Sequence, residues 1–319
     1  MHFFEAETSI QIINSKLYIT SDDPEKAYKS ILEAKKKSTT TKTLTLKQRI
    51  TKEEYFKYFD ILKSHIERGD IYEINFCKEF YSDKAEIDPL EVFLKLNKKQ
   101  KSPFSTFYKL ENLYALCSSP ERFMKKDGNK IISQPIKGTI KRSDNKNKDN
   151  YLISKLITDI KEQSENNMVV DLVRNDLSKT AKTGSIKVEE LRGLYSFPSL
   201  HQLISTISAR VDKDKGIECL KSAFPIASMT GMPKFKALEL IEKYELNKRG
   251  LFSGCIGYID PNQDFDFNVV IRTILYNHAR QNISVQAGGA ITILSNAEAE
   301  YEEITLKLKN IMGVLNSVD

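Results

Sequence analysis

Three β-rich runs separated by tight turns, followed at once by a helix-opening signal, restrict the fold more than any other feature. Leu251 to Ile259 reads as a strand and Asp260-Pro-Asn-Gln-Asp264 as a turn. Phe265 to Asn277 is a second strand rich in β-branched residues, and Ile283 to Ile293 is a third that carries Gly288-Gly289. Ser295, with Glu298 three positions on, has the form of a capping box opening the final helix. Connections this short leave no room for a crossover helix, so the strands run antiparallel.

Similar patterning extends upstream. Ile10 to Ile13 and Leu17 to Thr20 flank the turn-like Asn14-Ser-Lys16 and read as a hairpin, and a charged segment then runs to about Lys52. Between Glu53 and Arg68, Tyr55, Phe56, Phe59, Ile61, Leu62 and Ile66 recur at helical spacing, and Gly69-Asp70 ends that helix. Ile71 to Tyr81 alternates as a strand, and Tyr114 to Met124 pairs with Lys130 to Ile140 around Lys126-Asp-Gly-Asn129. After a polar loop from Lys141 to Asn150, one long helix is expected from about Asp149 to Asn175, and another follows Pro233. There is no internal repeat and no Pro-, Gly- or Ser-rich linker. The expected fold is α+β, with antiparallel sheets and several helices in one domain over residues 1–319.

The composition excludes some function classes. With 40% hydrophobic and 29% charged residues, the 319-residue chain can bury a sizeable core. The net charge of +6 comes from 49 basic and 43 acidic residues interleaved along the chain. Clusters such as Lys35-Lys36-Lys37 and Lys98-Lys99-Gln100-Lys101 read as solvated surface, so no nucleic acid is expected, although the excess can gather an anionic substrate. Apolar stretches are too short and interrupted for a membrane span, and the N-terminus lacks a signal-peptide pattern, so a cytoplasmic location is expected. Cys77, Cys117, Cys219 and Cys255 are far apart and show no metal-ligand spacing.

Chemistry-bearing residues fall in three groups. Glu162 and Glu165 share one helical face, and Glu300, Glu303 and Lys307 share another. They make either two solvated acidic faces or two faces that meet around a hard divalent cation, and spacing does not decide between these. Lys137 lies in Gln134-Pro-Ile-Lys-Gly-Thr139, where proline stiffens the approach and glycine permits close backbone contact. It is a surface charge or a nucleophile. As a nucleophile it must lose a proton, at a cost of roughly 4–5 kcal/mol near pH 7, unless burial or a neighbouring cation lowers its pKa. Met229-Thr-Gly-Met-Pro-Lys234 and Gln286-Ala-Gly-Gly-Ala290 offer backbone amides to an anion, and Arg272 can clamp a carboxylate. His201 is a polar core residue or a binding group. Together these suit a polyanionic small molecule with a metal.

Several ordered blocks resemble the chorismate-binding enzymes, the family of anthranilate, aminodeoxychorismate, isochorismate and salicylate synthases. They include Gly69-Asp-Ile-Tyr-Glu-Ile-Asn75, Ser119-Pro-Glu-Arg-Phe123, Pro135-Ile-Lys-Gly-Thr139, Glu165-Asn-Asn-Met-Val-Val-Asp171, His201-Gln-Leu-Ile-Ser-Thr206, Thr230-Gly-Met-Pro-Lys234, Ile271-Arg-Thr273 and Ala297-Glu-Ala-Glu-Tyr-Glu-Glu303. The resemblance covers about residues 52–313. It implies sheets packed face to face with helices outside, and a cleft that takes chorismate with Mg²⁺. The lysine of Pro-Ile-Lys-Gly-Thr marks the aminodeoxychorismate synthases, so Lys137 is implied as a covalent nucleophile. The same branch implies ammonia from a separate glutamine amidotransferase chain, for 4-aminobenzoate and folate biosynthesis. Glu121 is implied as general acid/base and Glu165 and Glu303 as metal ligands, with Glu300 beside them in the metal set and Glu162 beside them in a catalytic role. The implied substrate-binding set is Arg272, Tyr258, Lys307, Gly288, Gly289, Thr230 and His201. Glu73 stands where nitrogen-using members commonly carry glutamine and water-using members lysine, which marks it as nucleophile-selecting. Anthranilate synthase and a non-catalytic scaffold are the alternative readings.

Overall fold

The computed structural model describes residues 2–34, 44–198 and 200–315, so Lys35 to Lys37 lie outside the described residues. The chain divides into two compact units, residues 1–40 and 41–319, where one domain over 1–319 was expected. In the first unit, Ser9–Ile13 pairs antiparallel with Lys16–Thr20, and Asn14 and Ser15 take the left-handed φ values of +49° and +62° that such a tight turn needs. The charged segment after it contains a helix, Pro24–Glu33, that the sequence reading left unassigned.

The second unit holds two seven-stranded sheets, both antiparallel throughout. One is ordered Lys187–Ser196, Leu200–Arg210, Lys130–Gln134, Arg122–Asp127, Phe265–Asn268 and Gly257–Ile259, with Ile136–Lys141 also on Leu200–Arg210. The other is ordered Gly231–Met232, Glu73–Ser82, Asn282–Thr292, Thr273–Asn277, Leu113–Ser119 and Phe104–Leu110, with Lys47–Gln48 on Glu73–Ser82. Helix Lys52–Glu67 buries Tyr55, Phe59, Leu62 and Ile66 of the expected stripe and leaves Phe56 and Ile61 half-buried, and Thr51 and Glu54 form a capping box at its start. Burying each such side chain contributes about 1.5–3 kcal/mol.

Several expected strands prove to be two. Tyr114 to Met124 breaks at Pro120-Glu121, so that Leu113–Ser119 lies in one sheet and Arg122–Asp127 in the other. Phe265 to Asn277 divides likewise: Phe265–Asn268 and Thr273–Asn277 belong to different sheets, with Arg272 between them at φ +52°. Pro135 lacks an N–H to donate and separates Lys130–Gln134 from Ile136–Lys141. Of Leu251 to Ile259, only Gly257–Ile259 is strand.

The expected long helix is also two, Lys146–Thr158 and Ile160–Ser178. Asp159 stands between them, and its side chain caps the second by accepting from the Glu162 N–H. The final helix, Ala297–Leu315, is capped by Asn296, which accepts from the Ala299 N–H at 3.1 Å. Ser295 instead donates to the Ala290 carbonyl. Among the described residues, no helix is long and apolar enough to cross a membrane.

Candidate active site

The breaks between sheets place the polar groups. An open cleft of about 790 Å³ is lined by Lys137, Gly138 and Thr139 from one sheet and by Asn75 and Gln286 to Gly288 from the other. Glu162 and Glu165 reach it from helix Ile160–Ser178, and Glu303 and Lys307 from the C-terminal helix. Glu121 and Arg272, each at a crossing from one sheet to the other, complete it together with Ser228.

Lys137 is 8% exposed. Its Nζ lies 2.5 Å from Glu73 Oε1 and 3.9 Å from Glu165 Oε2. Burial pulls the ammonium toward a lower pKa, but the charges of Glu73 and Glu165 outweigh it and hold Lys137 above the ordinary lysine value. A neutral amine here was expected to need burial or a nearby cation. The neighbours are instead the carboxylates of Glu73 and Glu165, which favour the ammonium form of Lys137. Gly138 follows at φ +91°, where an added Cβ would lie 3.2 Å from both Glu162 Oε2 and Leu203 Cδ1.

Glu121 is fixed by its backbone, whose carbonyl accepts from the Val269 N–H at 3.0 Å. Its Oε1 accepts from Ser228 Oγ at 2.7 Å. Burial pushes its carboxyl up to about 7, against the opposing hydrogen bond from Ser228. Such a group can hold a proton and release it near neutrality.

The two acidic faces meet. Glu165 and Glu300 are bridged by Lys161, whose Nζ is 2.9 Å from an oxygen of each. Glu303 pairs with Lys307 at 2.7 Å, and that charge holds the Glu303 carboxyl down to about 2. Lys307 also donates to the Gly288 carbonyl at 2.8 Å. Glu162 has no ion-pair partner among the described residues; burial and then the charge of Glu165 push it up to about 7. Glu300 is raised by burial, against the opposing charge of Lys161, and its Oε2 is buried without a hydrogen-bond partner.

The glycine pair makes room for these groups. Gly288 and Gly289 lie within strand Asn282–Thr292, opposite Cys77 and Phe76. A Cβ at Gly289 would stand 3.1 Å from Glu300 Oε2, and one at Gly288 would stand 2.4 Å from Cys77 Sγ. Gly288 lines the cleft, but Gly289 does not.

These carboxylate donors are hard, oxygen-only and partly unpartnered, which fits a hard divalent ion. Among the described residues, no three His, Cys, Asp or Glu side chains form a preformed cage. An ion that keeps several waters needs only one or two carboxylates. The cleft also holds a guanidinium, Arg272, with no ion pair among the described residues.

Other expected site residues lie elsewhere. His201 is buried away from the cleft, its ring nitrogens 2.8 Å from Ser196 Oγ and 3.1 Å from Asp149 Oδ1. Its neighbour Gln202 lines the cleft instead, because successive strand residues face opposite ways. Thr230 spends its hydroxyl on the carbonyls of Ile226 and Ala227, at 3.2 Å each. Tyr258 is 64% exposed on an edge strand. Lys234, in the proposed anion turn, pairs with Asp176 and donates to the carbonyls of Ala223 and Pro225. Asn75, Gln202, Ser228 and Lys161 were not singled out from sequence. The signal for Lys161 was its position four residues before Glu165.

Residues 4–313 match the family described as chorismate binding enzyme. The chain belongs to that family. It is 39% identical over 263 residues to the probable chloroplastic aminodeoxychorismate synthase of Oryza sativa subsp. japonica, covering 81% of this chain and 29% of the rice protein. It is 36% identical over 276 residues to aminodeoxychorismate synthase component 1 of Escherichia coli (strain K12), covering 86% of this chain and 60% of that protein. The chain therefore spans less than two thirds of either relative. The crystal structure of anthranilate synthase component I from Streptococcus pneumoniae TIGR4 superposes with a TM-score of 0.84 over 96% of this chain and 72% of that one, at 24% identity. That likeness confirms the α+β fold of antiparallel sheets.

Proposed function

We propose that this chain is the chorismate-transforming component of an aminodeoxychorismate synthase. It would convert chorismate and ammonia to 4-amino-4-deoxychorismate, toward 4-aminobenzoate and folate. The observation that carries this reading is the buried Lys137, set in one cleft with Glu121, Glu162, Glu165 and Glu303 and paired behind it with Glu73. The names of the relatives point the same way. Ammonia would come from a glutamine amidotransferase chain. Four free thiols suit a reducing compartment such as the cytoplasm.

Each residue has a defined task in this reading. Arg272 and Lys307 bind substrate carboxylates. Glu121, protonated near neutrality, donates to the departing C4 hydroxyl, which leaves as water. Lys137 passes its proton to Glu73, 2.5 Å away, and its nitrogen attacks C2 as the ring double bonds shift. Ammonia then attacks C4, the bonds shift back, and the C2–N bond to Lys137 breaks. Glu165 and Glu303 would hold Mg²⁺ with Glu300 close by, and the bound ion would supply charge to anchor the ring carboxylate. Glu162 is a second acid with a pKa near neutrality, available to relay protons.

Incubation with chorismate, Mg²⁺ and ammonium, followed by product identification by mass and absorbance, tests the proposal. The expected product is 4-amino-4-deoxychorismate. Anthranilate plus pyruvate would reassign the chain within its family. No turnover, with a partner amidotransferase present, would favour the scaffold reading.

A further inference from the structure

We propose that the Lys161 ammonium is a built-in occupant of the cation position between the two acidic helices, and that a divalent ion binds by displacing it. The inference rests on the magnesium reading above. Lys161 lies in the first turn of helix Ile160–Ser178, four residues before Glu165. Its Nζ stands 2.9 Å from Glu165 Oε1 and 2.9 Å from Glu300 Oε1, so one ammonium joins the two helices.

Three observations make this an exchangeable contact. The carboxylates are nearly closed off, at 6% and 2% side-chain exposure, whereas Lys161 keeps 22%. Its side chain is therefore less enclosed than those of the acids, and its flexible four-carbon stem lets the ammonium move while the helix stays in place. The two lysines that line the cleft have nearer partners than these oxygens, Lys137 in Glu73 and Lys307 in Glu303 and the Gly288 carbonyl. Finally, Glu300 Oε2 is buried without a hydrogen-bond partner and faces the space left by the missing Gly289 side chain. Lys161 thus contacts one oxygen of Glu300 and leaves the other without a hydrogen-bond partner.

A hard divalent ion held by Glu165 and Glu303, with Glu300 close by, competes for the Glu165 and Glu300 oxygens that Lys161 contacts. Two cations cannot both contact them without strong repulsion, so ion entry and lysine departure are one exchange. The released ammonium then sits beside the cleft, free to meet an anionic ring. The apparent ion affinity is the intrinsic affinity reduced by the fraction of molecules in which Lys161 has let go. Lys161 is in this sense a positioning residue, and removing its charge should tighten metal binding.

Isothermal titration of the full chain with MgCl₂, without substrate, decides the matter. Lys161→Met should bind Mg²⁺ about tenfold more tightly than the unaltered chain, while Lys161→Arg should bind no more tightly than it. Metal-free Lys161→Met should melt lower than the unaltered chain, and Mg²⁺ should raise its Tm by more. Lys161→Gln gives the same test should the methionine variant fail to fold. Equal or weaker Mg²⁺ binding in a folded, charge-removed variant overturns the proposal and leaves the magnesium reading standing. Absence of Mg²⁺ binding in every form overturns both. Chorismate turnover is not read, so the result is independent of the product.

Discussion

Lys78 and Lys137 are both buried, at 1% and 8% exposure, yet the two regions around them treat a lysine in opposite ways. Lys78 lies on strand Glu73–Ser82, donates to Gln48 Oε1 at 2.7 Å and sits 4.2 Å and 4.9 Å from the ring centroids of Tyr301 and Phe80. Burial brings its pKa down to about 8. Lys137 is held by Glu73, the first residue of that same strand, and its carboxylate neighbours reverse the effect of burial. Burial alone therefore yields an easily neutralised amine, and the cleft does not use that device. There the amine is stored as an ammonium beside the group best placed to take its proton.

The largest expected effect that sharpens this contrast is on turnover. Lys137→Ala should lower it by about 10⁴-fold and remove any lysine adduct seen by intact mass. Lys78→Met should leave it within about twofold. Equal losses in the two variants would erase the distinction.

Next comes Glu121→Gln, expected to cost about 10²–10³-fold. In the unaltered chain, turnover should fall as pH rises through about 7 and Glu121 loses its proton. The glutamine variant should lack that limb of the pH profile.

Stability gives the third contrast. Lys137→Ala leaves Glu73 buried without its cation, at a cost of about 3–5 kcal/mol near pH 8 in denaturant titrations. Adding Glu73→Gln should recover most of that loss, and additive losses would show that the pair is not coupled.

The smallest effect concerns Lys78. Its folded pKa is depressed from 10.5 to about 8, so the folded protein binds fewer protons than the unfolded chain between those values. Stability should therefore rise by about 2 kcal/mol as pH increases from about 8 to 10.5, and Lys78→Met should abolish that rise.

Single elements were easier to read from the sequence than the crossings between the sheets. The helical spacing from Tyr55 to Ile66 read correctly because its buried stripe is fixed by the helix period. Tyr114 to Met124 and Phe265 to Asn277 read as continuous strands because alternation is the same on either side of a crossing between sheets. Those crossings, at Glu121 and Arg272, are where the cleft takes its acid and its guanidinium. Pro120 marked the first, and nothing local marked the left-handed turn at Arg272. The break at Asp159 was legible, since Asp159 with Glu162 three residues later has the form of a helix start. His201 and Gln202 are adjacent on one strand and face opposite ways, so Gln202 lines the cleft and His201 lies in the core beside Asp149. The protonation of Lys137 could not be read at all, because it depends on Glu73, 64 residues away in the chain.

Nitrogen-15 NMR of lysine Nζ, assigned with Lys78→Met and Lys137→Ala, would follow both ammonium groups in one titration. Lys78 should titrate near pH 8, while Lys137 should stay protonated to the highest pH at which the protein remains folded. A Lys137 midpoint below that of ordinary lysine would contradict the account, because its amine would then be freed by burial and not by transfer to Glu73.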